Sequence, residues 1–475
     1  MTPKKLSEYE PVDASPVKSF FVSMLTRDIT LEEAILDLLD NCVDGILRLG
    51  LGTATRPYSG YQADIDFDKR SFTISDNCGG IPWDLHNYAF RMGRSPEGAK
   101  DNPPGSIGVY GIGMKRAIFK LGKHALISTQ HESSGYEVEI TPKWIEDEEN
   151  WRIPVKSAAK SMRQDGTTIV VGNLHSGIAQ RFGEDAQAFT NDLDRMIGSH
   201  YAFIIDKGFT VKINSIPVRP KPTRLIFTKP GTGRNRRNTI QPYIFKTATP
   251  DGVTVFLAVG FTQRIPSQDE AVSEQEETKY SSLDAGWTVL CNDRAVLYCD
   301  RSELTGWGEA GIPRYHNQFI AISGIVEFKS DDASKLPTTT NKRGIDASSA
   351  LYLRIKNKMR EGMRLFTDYT NKWKDRAKES RKHIDAGSPL SFEQIKEQSR
   401  QLKFKRVTKS VPAGEQYRPS LPMPPSLDGS KRRISFTKSV TDVQVVSEHL
   451  FDDSDRDPSE VGEKCFDLQL EEAKK

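Results

Sequence analysis

A cluster of glycines followed by a lysine lies in the stretch IGVYGIGMKRA, residues 107–117. Backbone N–H groups without side chains, at the start of a helix, can bind a phosphate through hydrogen bonds and the helix dipole. The same pattern occurs in tight loops of many domains, so it is weak evidence when taken alone. The candidate phosphate-binding residues are Gly108, Gly111, Gly113 and Lys115.

A second group of polar residues lies on one face of a helix predicted over Glu32–Leu49, whose opposite face is apolar. This polar face contains no lysine or arginine, so its carboxylates would repel one another rather than form i,i+4 ion pairs. Solvated acidic faces are common. An acid and an amide one turn apart also suit a hard metal ion and a water molecule held for deprotonation. The residues of this face are Glu33, Asp37, Asp40, Asn41 and Asp44.

A third group is found in ISDNCGGIP, residues 74–82, where an aspartate ends a predicted strand and two glycines follow it. One interpretation is an ordinary Asp-Asn-Gly turn. The other is a binding site in which Asp76 accepts a hydrogen bond from an exocyclic amine. In that site, glycine would let a flat ring lie against the backbone.

Alternating helical and strand-like patterns position these groups in the first half of the chain. Residues 61–77 predict a β-hairpin, and residues 115–130 predict a helix that leads into a strand. The stretch TTIVVGNL, residues 167–174, predicts a further buried strand. A proline-rich stretch, residues 216–225, predicts a domain boundary, beyond which more strands follow.

The composition of the 475-residue chain is that of a globular protein, with 36% hydrophobic and 28% charged residues. The net charge of +3 gives no argument for nucleic-acid binding. Five cysteines form neither a CxxC pair nor a Cys/His cluster with metal-ligand spacing, which fits a reducing compartment. No signal-peptide core or bilayer-spanning run is visible. We therefore expect a cytoplasmic protein without membrane partners.

Taken in chain order, the helix face, the aspartate turn and the glycine cluster, together with the strand that follows them, resemble the motifs of the GHKL ATPases, the superfamily of gyrase B, MutL, the large heat-shock chaperone and the histidine kinases. DLLDNCVDG resembles the N-box, DNCGG the adenine-binding box, GVYGIGMK the phosphate lid, and DGTTIVV the closing Gly-Thr strand. The adenine box usually reads Asp-x-Gly-x-Gly, and Cys78 replaces its first glycine here. The resemblance implies an α+β fold, with a Bergerat α/β sandwich that binds ATP and Mg²⁺. The histidine kinase branch is excluded, because no histidine precedes the N-box.

The resemblance assigns a role to each matching residue. Asn41 would hold the Mg²⁺ that bridges the phosphates, and Asp76 would bind the adenine amino group. Gly80 would lie beside the adenine ring, and Thr167 would support the ring through water. The lid glycines would wrap the phosphates where the next helix begins, and Lys115 would add a positive charge.

The general base departs from the family pattern. The family has a glutamate one turn before the asparagine, and Asp37 takes that position here. An aspartate is shorter by one methylene, about 1.5 Å of reach, and a displacement of that order can cost about 100-fold in rate. Glu33 lies two turns before Asn41, about 12 Å along a helix, and is too far away to replace Asp37. We therefore expect Asp37 to be the base of a slow hydrolysis.

The second half of the chain resembles the transducer of MORC ATPases, in GWTVLCNDRAVL and in the run from GIVEF to PTTTNKRG. On that resemblance, Lys342 reaches the γ-phosphate as a catalytic residue; an ordinary solvated loop is the other interpretation. MORC-type proteins, MutL and gyrase share a cycle in which ATP closes the lid and two ATPase domains dimerise. We expect the short prokaryotic type, in a DNA-related or defence process. A chaperone-like or scaffold protein that binds nucleotide and barely hydrolyses it is the alternative.

The expected architecture has four segments and three kinds of partner. The partners are a second copy of the chain, DNA, and a protein bound by the C-terminal tail. The basic loop at residues 229–239 could contact DNA phosphates, and an ordinary solvated loop is the other interpretation. Residues 91–106 are expected to form a mobile lid. The segments are a GHKL ATPase domain (1–220), a transducer-like α/β domain (221–350), a helical segment (351–402) and a disordered charged tail (403–475).

Overall fold

The computed structural model describes residues 17–50, 56–93, 103–108, 111–159, 162–229, 239–267, 284–339, 342, 344–408, 413–424, 434 and 436–474. Contacts within the chain divide it into two units, residues 1–423 and residues 424–475. The first unit contains all the residues that the motifs single out. Residues 94–102 of the expected lid and 230–238 of the basic loop lie outside the described residues.

The first described helices are α1 (Lys18–Arg27) and α2 (Leu31–Leu49), and α2 carries the polar face. Thr30 and Glu33 form a capping box at the start of α2. The Thr30 hydroxyl accepts the Glu33 N–H at 3.2 Å, and the Glu33 carboxylate accepts the Thr30 N–H at 2.7 Å. Gly50 ends the helix with a φ of 84°. The predicted helix is therefore confirmed, and Glu33 has a structural role at its start.

Eight strands form the first sheet, in the order β5-β4-β3-β6-β2-β1-β7-β8. These strands are β1 (Gln62–Phe67), β2 (Phe72–Asp76), β3 (Gly122–His131), β4 (Ser134–Ile140), β5 (Val155–Ser157), β6 (Gly166–Leu174), β7 (Thr210–Ile213) and β8 (Ile216–Pro217). The connecting helices are α3 (His86–Phe90), α4 (Gly113–Leu121), α5 (Pro142–Glu146), α6 (Ser176–Gly183), α7 (Ala186–His200) and α8 (Ala202–Asp206). Apolar side chains of α2, α4 and the strands share one core. The predicted hairpin, the helix leading into β3 and the strand β6 are confirmed.

Seven strands form the second sheet, in the order β13-β12-β14-β11-β10-β17-β16. In chain order, the elements of this part are β9 (Leu225–Phe227), β10 (Tyr243–Ala248), β11 (Thr254–Phe261), β12 (Gly286–Cys291), β13 (Arg294–Asp300), β14 (Ile322–Lys329), α9 (Ala350–Trp373), α10 (Ala377–Asp385), β15 (Ser388–Leu390), α11 (Phe392–Ser399), β16 (Lys405–Val407) and β17 (Gly414–Tyr417). Helix α9 packs against β11 and β14 over a second core, and β9 pairs with β15. The expected boundary at residue 220 falls between the strands of the two sheets and remains a prediction.

The expectation of a disordered tail from residue 403 onward is wrong for the strands β16 and β17. Strand β17 pairs with β10, and β16 extends the same edge of the second sheet. The indole of Trp373 on α9 donates to the Pro422 carbonyl at 3.0 Å, which fixes the chain beyond β17. Edge strands are held by backbone hydrogen bonds and need no apolar alternation, so composition did not reveal them.

The second unit contains helices α12 (Val440–Phe451) and α13 (Pro458–Ala473), where disorder was also expected. Ser439 caps α12 by accepting the Asp442 N–H, and Asp457 caps α13 ahead of a proline at its first position. These capping signals involve only a few residues each, and the charged composition of the tail led to the prediction of disorder instead. No helix in the described ranges of either unit is long and apolar enough to pass through a membrane.

Candidate functional site

All ten residues predicted from the motifs line one cavity, which lies between α2, the first sheet and the start of α4. The ten residues are Asp37, Asn41, Asp76, Gly80, Gly108, Gly111, Gly113, Lys115, Thr167 and Lys342. We call the part around Asp76, Gly80, Thr129 and Thr167 the apolar end. The part around the carboxylates of α2 is the acidic end. The cavity thus joins motifs that are far apart in the sequence.

Asp76 lies at the end of β2, beside isoleucine and leucine side chains of the apolar end. Its Oδ1 accepts the Cys78 N–H at 2.8 Å and the Thr167 N–H at 3.3 Å, and the Cys42 thiol lies 3.6 Å from its Oδ2. Burial raises the pKa of Asp76 to about 6, although these bonds oppose the rise. A carboxylate set among apolar side chains can accept an N–H from a planar heterocycle. Cys78, in place of the family's glycine, keeps its N–H on this aspartate.

Gly80 is required by a close approach of two backbones. Its φ is 65°, and a Cβ at this position would lie 2.0 Å from the carbonyl oxygen of Gln130. Thr129 on β3 accepts the Ile81 N–H at 2.8 Å, and its hydroxyl lies 3.0 Å from that of Thr167. Thr129 could not be found from the sequence, because a threonine in an alternating strand carries no signal of its own. The apolar end is therefore held by hydrogen bonds between neighbouring strands.

Asn41 is exposed on α2 and lines the cavity, whereas the aspartates on the same face are buried. Mg²⁺ commonly takes one or two protein oxygens and completes its shell with phosphates and water. A single carboxamide oxygen at the wall of the cavity fits that requirement. Among the described residues, no group of three or more His, Cys, Asp or Glu side chains is arranged to hold a metal. The residues present thus fit a Mg²⁺ that arrives with its own phosphate ligands.

Asp37 is 4% exposed and forms an ion pair with Arg116 of α4. Arg116 Nε lies 3.0 Å from Asp37 Oδ2, and the guanidinium Nη2 bonds the same oxygen. Burial raises the pKa of Asp37, while Lys342 and Arg116 act in the opposite direction. Arg116 was missed in the sequence, although it directly follows Lys115. The base expected from the resemblance is thus present in the cavity and paired through one of its two oxygens.

Asp40 is the most strongly bound carboxylate of the acidic end. Arg294 Nε lies 3.0 Å from its Oδ1, Lys342 Nζ lies 3.1 Å from its Oδ2, and the Tyr201 hydroxyl donates to Oδ1. Burial alone would raise the pKa of Asp40, but Lys342 and Arg294 outweigh it and hold the pKa at about 2. The sequence showed a polar face without cationic partners. The structure supplies them from distant parts of the chain.

Lys342 occupies the acidic end as a charged group. Burial alone would lower its pKa, but the carboxylates of Asp40, Asp37 and Asp44 raise it above the ordinary lysine value. The backbone of Lys342 has a φ of 57°, a left-handed conformation that few residues other than glycine adopt. The Lys342 side chain lines the same cavity as Asp37 and Asn41, and its contact with a terminal phosphate remains a prediction. The interpretation of Lys342 as a solvated loop residue does not fit a side chain that is 14% exposed.

Asp44 bonds the two residues that directly follow the expected lid. Its Oδ1 accepts the Ile107 N–H at 2.6 Å, and its Oδ2 accepts the Gly108 N–H at 2.8 Å. Burial raises the pKa of Asp44, whereas Lys342 and these two bonds oppose the rise. The Gly108 N–H, expected on a phosphate, thus bonds a carboxylate here.

Lys115 is 2% exposed, and its ammonium group donates to the carbonyl oxygen of Ala89 at 2.7 Å and to that of Gly111. It thereby ties α3 to the glycine-rich segment at the start of α4. Gly113 begins α4, and a Cβ there would lie 3.4 Å from the Asp37 Cβ. The structure brings Lys115 to the cavity, and its contact with phosphate remains a prediction.

The matched family model gives a class for this domain. Residues 29–168 match the model of the histidine kinase-, DNA gyrase B- and HSP90-like ATPases. The matched range begins just before α2 and ends in β6, so it contains the N-box, the adenine box and the lid glycines. The α+β fold thus contains a GHKL-type ATPase domain. None of the curated proteins matches the chain.

Proposed function

We propose that this chain binds ATP with Mg²⁺ in the cavity and hydrolyses it, as a MORC-like ATPase of the short prokaryotic type. One observation carries the proposal: residues from separate motifs, together with the distant Lys342, line a single cavity. The match of residues 29–168 to an ATPase family supports the same activity. The transducer-like stretches of the second half support the MORC-like subtype.

The adenine and the phosphates of the nucleotide bind at opposite ends of the cavity. Asp76 accepts a hydrogen bond from the adenine amino group, while Gly80 and Thr167 border the ring. Asn41 holds Mg²⁺ through its carboxamide oxygen, and the lid glycines and Lys115 bind the phosphates. When bound, Mg²⁺ offsets the phosphate charge.

Asp37 takes the proton of the attacking water. Arg116 bonds its Oδ2, so Oδ1 is the oxygen that remains outside this pair. Lys342 moves from Asp40 to the terminal phosphate, where it stabilises the charge of the transition state. Asp40 keeps Arg294 and the Tyr201 hydroxyl as partners when Lys342 leaves.

We propose that nucleotide binding drives homodimerisation, so that the protein works as a clamp or switch in the cytoplasm. A ligand that binds the closed state better than the open state shifts the population toward closure. The acidic end supports such coupling, because Lys342 comes from the second half of the chain and contacts α2. DNA as the client, a defence process, and a protein partner for the C-terminal region rest on the resemblance to MORC proteins.

The ion pair between Asp37 and Arg116 favours a second candidate function. A carboxylate that is held by a guanidinium is a weaker base, and Asp37 is already shorter than the glutamate of the family. If the pair persists with nucleotide bound, the chain binds ATP and barely turns it over. It then acts as a nucleotide-dependent scaffold.

The deciding experiment combines phosphate release from ATP with sedimentation mass in a non-hydrolysable ATP analogue, with and without duplex DNA. We expect the wild type to hydrolyse ATP and to dimerise with the analogue. Asn41→Ala loses both, whereas Asp37→Asn dimerises but loses about 100-fold or more in turnover. Asn191→Ala, on the exposed side of α7, is the matched control and behaves as the wild type.

Three outcomes separate the candidates. Turnover and dimerisation with the expected losses support the ATPase. Nucleotide binding without turnover in any condition supports the scaffold. A wild type that binds no ATP overturns both.

A further inference from the structure

The turn between β12 and β13 bonds four separate places in the first half of the chain. It consists of Asn292 and Asp293 together with Arg294, the first residue of β13, and we call it the 292–294 turn. Asn292 has a φ of 54°, which asparagine adopts more readily than most residues. Each of the three side chains reaches a different neighbour, so the turn does more than reverse the chain.

Asn292 bonds the end of the lid segment. Its Nδ2 donates to the carbonyl oxygen of Gly105 at 2.9 Å and to that of Ser106 at 3.3 Å. Its Oδ1 accepts the Ser330 N–H at 3.1 Å, just beyond β14. One carboxamide therefore joins the second sheet to the two residues that precede Ile107, whose N–H bonds Asp44.

Asp293 bonds the turn to two residues of the first half of the chain, Tyr58 and Lys207. Its carboxylate accepts the Tyr58 hydroxyl at 2.8 Å and the Lys207 ammonium at 2.7 Å, and Lys329 lies 3.5 Å away. Burial opposes its charge, but Lys207 and Lys329 keep the pKa of Asp293 well below its usual range. These contacts anchor the turn on Tyr58, ahead of β1, and on Lys207, just after α8.

Arg294 completes the set by bonding α2. Its Nε lies 3.0 Å from Asp40 Oδ1, and its guanidinium lies 4.3 Å from the centre of the Tyr201 ring. Arg294 is 1% exposed, so this ion pair is shielded from solvent. Asp40 is also the partner of Lys342 and directly precedes Asn41.

We propose that the 292–294 turn is the connector that makes the acidic end of the cavity depend on the second sheet, with Asn292 as the positioning residue for the lid. A movement of the β12–β13 hairpin displaces the end of the lid and the partners of Asp40 together, because both are bonded to one rigid turn. The consequence for turnover rests on the proposed ATPase function. The bonds themselves do not.

The test is the substitution Asn292→Asp. Aspartate keeps the acceptor for Ser330 and tolerates the left-handed turn, but it removes the donor to Gly105 and Ser106. Hydrogen exchange followed by mass spectrometry reads peptides that contain Ile107 and Gly108. We expect their exchange to rise by about tenfold, because the hydrogen bonds to the Gly105 and Ser106 carbonyls are lost. Peptides from β12 and β13 stay protected, which a general loss of folding would not allow.

A matched control is Asn214→Asp. Asn214 also lies in a hairpin turn with a positive φ of 45°, and its Oδ1 accepts the Phe67 N–H at 3.1 Å, a bond that aspartate retains. It should leave the exchange of the lid peptide unchanged. Asn292→Gly keeps the turn conformation and removes both functions of the side chain, so it provides a second variant.

Turnover then separates the connector from the ATPase proposal. We expect kcat of Asn292→Asp to fall about tenfold, because the bonds to the two neutral carbonyls of Gly105 and Ser106 are lost, and we expect kcat of Asn214→Asp to be unchanged. Unchanged lid exchange in both Asn292 variants overturns the connector, whether or not the wild type hydrolyses ATP. Faster lid exchange with wild-type kcat also overturns it, since the lid would then be loose without consequence. A wild type without turnover removes the ATPase proposal, and the exchange result still decides the contact.

Discussion

The two ends of the cavity are built by different interactions. At the apolar end, Asp76 and Thr129 bond backbone N–H groups and hydroxyls of adjacent strands. At the acidic end, Asp40 is buried against Arg294 and Lys342, which lie more than 250 residues further along the chain. The apolar end is therefore formed by the first sheet and α2, within the first half of the chain, whereas the acidic end needs the second half.

This difference teaches where control over the chemistry can enter. Hydrogen bonds between neighbouring strands are fixed once the sheet forms. Buried ion pairs between distant segments depend on how those segments pack, and their loss leaves an unpaired charge in a poorly solvated place. A change in the second sheet can thus alter the acidic end and leave the apolar end as it is.

The largest expected effect comes from breaking the acidic end with Asp40→Asn. This change leaves Arg294 buried without its carboxylate, so the free energy of unfolding should fall by about 3–5 kcal/mol. Urea unfolding followed by tryptophan fluorescence measures it, because all six tryptophans lie in the first unit.

Asp64→Asn is the matched control for this change. Asp64 pairs with Lys212 at 3.1 Å, but both side chains are about a third exposed. Its loss should be at most about 1 kcal/mol. Equal losses in the free energy of unfolding would show that the buried pairs of Asp40 stabilise the fold no more than an exposed pair does.

A smaller effect is expected when the pairing of Asp37 alone is changed, by Arg116→Gln. Arg116 lowers the pKa of Asp37 against the effect of burial, so its removal raises that pKa further. A base must be deprotonated, and the acid limb of the pH–rate profile for ATP hydrolysis should therefore move to higher pH. We expect the rate at pH 6 relative to pH 8 to fall by about tenfold more than in the wild type.

Arg48→Gln is the control for Arg116→Gln, because it also removes one positive charge from the cavity but at the apolar end. Arg48 also lines the cavity, and its guanidinium donates to the Gly80 carbonyl at 3.3 Å. It should leave the acid limb in place, and Arg116→Lys should restore much of it. A shift of the same size in Arg48→Gln would mean that any cation of the cavity sets the profile, contrary to the comparison.

The smallest effect is expected at the apolar end, from pH. Burial raises the pKa of Asp76 to about 6, above its ordinary value of 3.8. Its carboxylate is thus ionised above pH 6 and protonated as the pH falls from 6 toward 4. The neutral acid accepts a hydrogen bond more weakly, so affinity for ADP should fall about fivefold between pH 7.5 and pH 5.

The variant Asp76→Asn has no carboxyl group to titrate at this position. It serves as the reference, because protonation of the ADP phosphates changes its affinity and that of the wild type alike. The ratio of wild-type to variant affinity is therefore the quantity to follow by calorimetry. Because the raised pKa means that the folded state binds a proton more readily, wild-type stability relative to the variant should increase as the pH falls through 6. A ratio and a stability difference that are both independent of pH would contradict the pKa assigned to Asp76.

Asp76, Gly80 and Thr167 of the apolar end and the course of α2 could be predicted from the sequence, because their signals are local, whereas Thr129 could not. The capping residue Thr30, the apolar spacing and Gly50 specify one helix, and that helix fixes which residues share a face. The glycines at the close approaches, such as Gly80, likewise stand within a short motif. Such features depend on few residues and are readable without a structure.

The partners of the aspartates could not be predicted from the sequence, because ion pairs between distant segments leave no periodic signal. Arg294 stands in a strand that reads as ordinary, and nothing in its neighbourhood indicates Asp40. The edge strand β17 and the capped helices α12 and α13 were missed for a related reason. Their composition is polar, and only backbone pairing or a cap identifies them.

Asp44 sets a concentration threshold for the proposed switch. It is a carboxylate of the protein itself that holds the N–H groups of Ile107 and Gly108, and the Gly108 N–H is one that the proposed function assigns to a phosphate. A nucleotide must displace this internal competitor, and its apparent affinity is the intrinsic affinity multiplied by the fraction of molecules in which the competitor is released. The lid would then change its contacts only when the ATP concentration is high enough to displace Asp44, and it would keep them at trace concentrations.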